Sequence, residues 1–162
     1  MSAAATVPPM VVQPARPFAS ARATVSTRIG AAILAFLAFS VLLTGALLKP
    51  DPAGMGTHQQ LGLPPCGWLA ATGYPCPTCG MTTSFTALAH AQPAASLHAQ
   101  PFGTLLALAT TVFFWGALHV AVFGSQLGRC FERLLTGRYL WPACALFLAA
   151  WAWKCWQVRA GM

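Results

Sequence analysis

The sequence predicts an all-α integral membrane protein with three transmembrane helices and a short, Cys-capped amphipathic helix on the outer face. Three observations carry that expectation. The chain is 57% hydrophobic and only 7% charged, where a soluble domain carries about 25% charged residues. Long runs lack charge altogether. The few Lys and Arg flank those runs instead of lying within them.

The first run is 29–48, IGAAILAFLAFSVLLTGALL. It is about as long as a helix must be to cross a hydrocarbon layer of roughly 30 Å. Lys49-Pro50-Asp51-Pro52 ends it. A cleaved signal peptide is the rival reading, but Thr44-Gly45-Ala46 is a poor cleavage site and the preceding leader is long, so a retained anchor is expected. The second run is 101–124, and Pro101 suits its first turn because the missing N–H would be unpaired there anyway. The third is 139–157, with Tyr139 and Trp141 at one end and Trp151, Trp153 and Trp156 at the other, as in an interfacial aromatic belt. Lys154 is expected to snorkel outward from the end of this span. Residues 1–28, rich in Pro, Ala, Ser and Thr, read as a flexible basic tail ahead of a single membrane domain, 29–162.

Charge placement sets the expected topology. Arg16, Arg22 and Arg28 lie in the tail, and Arg129, Arg133 and Arg138 lie between the second and third runs. Between Pro50 and Gly128 there is no Lys or Arg. The positive-inside rule puts the N-terminus in the cytoplasm and the interval 49–100 outside, in a bacterial inner membrane. Lys154 and Arg159 fall on the outer side and conflict mildly with that scheme. The net charge of +7 does not point to nucleic acid, because the basic residues form no patch interleaved with aromatics. The expected partner is the lipid bilayer; no protein partner is identified.

The outer interval carries 66-CGWLAATGYPCPTCGMTTSF-85. Cys76-Pro77-Thr78-Cys79 is a C-x-x-C turn at the head of a predicted helix over 79–91. Met81, Phe85 and Leu88 fall on one face of that helix, and Cys79, Thr83, Thr86 and His90 on the other. A second short segment begins at Pro93. The residues support three readings of Cys66, Cys76 and Cys79. They form a structural disulfide, Cys66 with Cys76 or Cys79, permitted outside the cytoplasm. They bind a soft or borderline metal, with Zn and Cu the candidate ions. Or Cys76 and Cys79 work as a thiol–disulfide oxidoreductase pair with Cys66 as resolving thiol, the head of the helix lowering a Cys pKa. No βαβ frame supports the third. Whether the chain is an enzyme stays undecided at this level.

The pattern Cys66, Thr72-Gly73, Cys76-Pro77-Thr78-Cys79-Gly80-Met81-Thr82, then Ser96-Leu97 and Gln100-Pro101 over residues 64–112 resembles a family of small bacterial membrane proteins catalogued as a domain of unknown function. That family's signature is a leading Cys, a Thr-Gly and C-P-x-C-G-x-T-R. Thr83 stands where the signature has Arg, Ala91-Gln92 where it has a Gly-Asp or Gly-Arg turn, and Gln100 where it has Asn. The resemblance implies membrane topology and marks the motif positions; it implies no reaction.

The remaining polar residues are read as follows. His90 lies too far along its helix to share an ion with Cys79; His58 and His98 would have to fold back. His119, inside the second span, is expected to hydrogen-bond another helix. Cys144 is expected in the core, Cys130 in the cytoplasmic loop, and Cys155 at the outer end of the third span as partner for an odd cysteine. Gly30, Gly45, Gly103 and Gly116 are expected to let spans approach closely. Asp51 and Glu132 are the only carboxylates and lie on opposite sides in this scheme, which excludes paired-carboxylate chemistry. A Ser-His-Asp site would need Asp51, wedged between two prolines.

Overall fold

The computed structural model describes residues 23–125 and 137–161. Within them every regular element is helical. Cys130 and the tail up to residue 22 lie outside the described residues.

Helix α1 spans Val25–Leu47, beginning inside the expected tail. Thr24 caps it: the backbone there is extended and the hydroxyl oxygen accepts from the Thr27 N–H at 3.3 Å, satisfying one of the orphan donors of the first turn. Its buried residues are Ala31, Ala35, Ala38 and Gly45. That spacing is one narrow stripe of small side chains. Ile29, Ile33, Phe36 and Leu37 point away and are exposed. Helix α5, Pro101–Phe123, mirrors the pattern, burying Gly103, Thr104, Ala107, Ala117 and Val120. The two helices pack along each other antiparallel. Both are long and apolar enough to cross a membrane, and their most apolar windows are only 11% and 17% buried. Small residues inside and large apolar ones outside is the arrangement for a solvent of lipid.

Arg28 fastens the ends where α1 starts and α5 stops. Its guanidinium donates to the Ala121 and Val122 carbonyls, both at 3.0 Å. These are last-turn carbonyls with no partner inside the helix, at the negative end of its dipole. The Ala23 N–H adds a bond to the Gly124 carbonyl at 2.9 Å.

At the opposite end the two helices splay around a compact unit. It contains a 3-10 turn at Thr57–Leu61 and three short helices: α2, Gly67–Thr72; α3, Met81–Ala89; and α4, Pro93–Ala99. Helix α3 enters between α1 and α5. Its Phe85 backbone lies 3.6 Å from where a Cβ on Gly45 would stand, and its Ser84 Cβ lies 3.0 Å from the equivalent point on Gly103. Those glycines therefore admit α3 rather than bringing two spans together, and Gly30 has nothing within 4 Å.

Helix α3 accordingly turns its faces differently from an amphipathic surface helix. Thr83, Ser84, Thr86 and Ala87 are buried, while Met81, Phe85 and Leu88 are half-buried. The hydroxyl face goes inward, where it adds second bonds to backbone carbonyls at the helix junctions. Ser84 Oγ lies within 3.1 Å of the carbonyls of Gly80, Ser96 and Gln100. Ser96 Oγ donates to the Ser84 carbonyl at 2.8 Å and stands 2.7 Å from Thr104 Oγ1. Thr83 meets Thr57, hydroxyl to hydroxyl, at 2.9 Å, which docks the 3-10 turn. His90 bonds the Leu48 carbonyl at 2.8 Å, tying α3 to the end of α1.

The last helix, α6, spans Gly137–Ala160 with Pro142 inside it. Lys154, Gln157 and Arg159 fall in its second half, and it does not reach the apolarity of α1 and α5. Trp151, Lys154 and Gln157, three residues apart, turn to the compact unit. The Trp151 indole N–H donates to the Pro75 carbonyl at 3.0 Å. The Gln157 amide nitrogen reaches the His98 carbonyl at 3.2 Å and its oxygen accepts from Trp153 Nε1 at 3.1 Å. Lys154 does not snorkel: it is 3% exposed. Cys144 is exposed, not packed in a core. His119 is exposed and stacks on Phe123 of its own helix, ring centroids 4.7 Å apart, so the expected bond to another helix is replaced by an i,i+4 ring contact.

Gly80 is the tightest point of the unit. Its φ is +86°, and a Cβ there would fall 2.5 Å from the Ala99 carbonyl oxygen and 2.9 Å from that of Gly54. Gly80→Ala is expected to lose at least about 2 kcal/mol of stability. Gly62→Ala, at φ +77° with nothing within 4 Å, should lose only the left-handed penalty of about 1 kcal/mol. Thermal unfolding of both variants in detergent checks this; equal losses would contradict the packing described.

Candidate metal centre

Two pieces of the chain deliver Cys66, Cys76 and Cys79 to one spot. Cys66 is the residue that precedes α2. Cys76 begins a turn closed by the Cys79 N–H on the Cys76 carbonyl at 3.0 Å and by the Met81 N–H on the Thr78 carbonyl at 3.1 Å. Gly80, left-handed, then starts α3. The two prolines hold the turn from both sides. The buried Pro75 offers its carbonyl to Trp151. The Pro77 carbonyl accepts from Gln100 Nε2 at 3.2 Å, and Gln100 is fully buried.

All three thiols are free. Their sulfurs lie within 4.8 Å of one another. Cys76 and Cys79 are 3.2 Å apart, sulfur to sulfur, and Thr78 Oγ1 stands 3.3 Å from the Cys76 sulfur. Tetrahedral zinc with Zn–S near 2.3 Å separates its sulfurs by about 3.8 Å, so small side-chain adjustments would bring the three onto one ion. In front of them opens a cleft of about 630 Å³, lined among others by Met55, His58, Leu69 and Met81.

The thiols differ in character. Cys66 is lowered from 9.0 to about 7, first by the Leu69 N–H at the head of α2, then against some burial by the two neighbouring thiols. Free N–H groups at a helix start favour the thiolate. Cys79 is pushed up to about 12, first by burial and then by the Cys76 thiol. The expectation that the helix after the C-x-x-C turn would acidify a member of that pair fails for Cys79. Its sulfur is buried ahead of the helix, and the acidified thiol lies outside the pair.

The other expected participants are dispersed. His58 lines the cleft, with Nε2 3.2 Å from the Pro64 carbonyl. His90 is engaged with Leu48, and His98 contributes its backbone to α6. Cys155 is half-buried and free, outside the group of three. Thr83, where the resembled signature has Arg, is 3% exposed and occupied with Thr57. The sequence reading missed Trp151, Gln100 and Lys154 as supports of this site. The conflict of Lys154 with the charge scheme was the available signal.

With the protein reduced and free of metal, iodoacetamide should label Cys66 at a rate that climbs through pH about 7 as its thiolate forms. Cys79 should stay unlabelled until the solution is far more alkaline. Peptide mapping by mass spectrometry reads both; equal labelling of the two cysteines at pH 8 would count against the assigned environments.

The family described as "Protein of unknown function (DUF2752)" matches residues 66–115, less than half of the chain, from the first cysteine of the group into α5. No curated protein and no solved structure matches the chain.

Proposed function

We propose that this chain is a membrane protein that binds one soft or borderline metal ion through Cys66, Cys76 and Cys79 on the outer face of a bacterial inner membrane. The observation that carries the reading is the convergence of three free sulfurs within 4.8 Å of one another on a turn clamped from α5 and α6. A stabilising disulfide, or a dithiol pair, would need only two of these. Zn²⁺ and Cu⁺ are the ions whose ligand preferences suit thiolates. Three protein donors leave one position toward the cleft, the arrangement of sites that accept an exchangeable fourth ligand.

The topology belongs to the same proposal. Arg28 meets the C-terminal end of α5, and in sequence Arg129, Arg133 and Arg138 follow that end, which supports one basic, cytoplasmic side. Helix α6, with exposed Tyr139, Leu140, Trp141 and Leu146 in its first half, is assigned the third crossing, and its last turns meet the cysteine unit at the outer interface.

Purified protein, reduced and titrated with Co²⁺ as a spectroscopic stand-in for Zn²⁺, should bind one ion with sulfur-to-metal charge-transfer absorption. Cys66→Ser, Cys76→Ser and Cys79→Ser should each weaken binding by at least about tenfold. Elemental analysis of the protein as isolated distinguishes Zn from Cu. Folded, reduced protein that takes up neither ion refutes the proposal; a Cys76–Cys79 disulfide that exchanges with a small thiol would transfer the motif to redox work.

A further inference from the structure

Among the described residues one cation is buried, beside the backbone that leads into Cys79. Lys154 arrives from α6 with 3% of its side chain exposed. Its ammonium nitrogen lies 3.3 Å from where a Cβ on Gly54 would stand. Gly54 is the residue whose carbonyl oxygen is 2.9 Å from the equivalent point on Gly80, and Gly80 directly follows Cys79. Any side chain on Gly54 would compete with the ammonium for that room.

A buried ammonium without an anion is unfavourable by several kcal/mol. Among the described residues no carboxylate pairs with Lys154. The one described acid, Asp51, turns a carboxylate oxygen to the Ala53 N–H at 2.8 Å. Three neutral thiols would offer the ammonium nothing to balance. Three thiolates around a divalent ion carry one net negative charge, which a single ammonium cancels. Around a monovalent ion they carry two, and one remains.

We infer that Lys154 is the built-in counter-charge of the Cys66–Cys76–Cys79 centre and that the charge of the site is set for a divalent ion. The inference rests on the metal-binding reading above. Lys154 touches no metal in this account; its charge offsets that of the metal–thiolate group, and it is a positioning residue. The role explains why the last helix is clamped to the cysteine turn at Trp151 and to α4 at Gln157, one helical turn to each side of Lys154: the two bonds fix where the charge sits.

The test uses the full chain in detergent, with Zn²⁺ affinity measured by chelator competition. Lys154→Met should lower affinity about ten- to a hundredfold while binding still stops at one ion. Lys154→Arg should keep most of it. Gln157→Met keeps the charge and removes one of the two bonds that place it, so it should lower affinity by clearly less than Lys154→Met does. Thermal unfolding separates charge from packing. Metal-free Lys154→Met should melt at or above the wild-type temperature, because an unbalanced buried charge has gone, and the increment added by Zn²⁺ should shrink. Wild-type protein that binds one Zn²⁺ through the cysteines while Lys154→Met binds it equally well overturns the counter-charge and leaves the metal site standing. A loss shared equally by Gln157→Met would show a structural role and overturn it too. Wild-type protein that binds no Zn²⁺ removes the metal reading and this inference together.

Discussion

At Gly80 three backbone segments meet at a distance that leaves no room for a methyl group. The Ala99 carbonyl comes from the end of α4 and the Gly54 carbonyl from the stretch after α1. The rest of the unit hangs on that contact. It sets Cys79 immediately before the crossing point, and it lets the Gly80 carbonyl accept from both the Ser84 N–H and hydroxyl. It also brings Gln100, one residue past Ala99, within reach of the Pro77 carbonyl. A glycine at φ +86° is the residue that can occupy such a point without strain.

Around it hydroxyls hold the helix junctions together. The carbonyls of Gly80, Ser96 and Gln100 each accept a backbone N–H, from Ser84, Gln100 and Thr104. Each carbonyl oxygen has a second lone pair that can take a further bond. Ser84, Ser96 and Thr104 answer with hydroxyls aimed at the carbonyls of Gly80, Ser84, Ser96 and Gln100. Hydroxyl side chains are also small, so the same residues permit close packing of α3, α4 and α5. The polar core thus lies where short helices pack beside the two long apolar ones.

The cysteine group inherits its rigidity from that core and its electrostatics from its edges. The acidified thiol, Cys66, stands at the front where α2 begins; the reluctant one, Cys79, is at the back under the crossing. Helix α6 closes the rear with an indole, an ammonium and an amide in consecutive turns. A constellation of three sulfurs and one buried cation, assembled from three parts of the chain, is better suited to holding a charged object than to closing one disulfide.

The sequence by itself determined the two long apolar helices, because an uninterrupted apolar run of about twenty residues is the length and composition of a helix that can cross a membrane. It also determined that Cys66, Cys76 and Cys79 belong to one short unit ending at Gln100-Pro101. Glycine and proline fix such boundaries locally, as Gly80 and Pro101 do here. Tertiary structure alone decided which face of α3 turns inward: a helical wheel shows two faces and not what surrounds them, and the hydroxyl face won by meeting carbonyls from α4 and α5. It alone decided that Cys66 is acidified while Cys79 is pushed the other way, since that depends on a neighbouring N–H and on burial. It alone turned Lys154 inward. At the end of an apolar run a lysine has the reach to find water or to point at a partner, and the partner lies about seventy residues away along the chain.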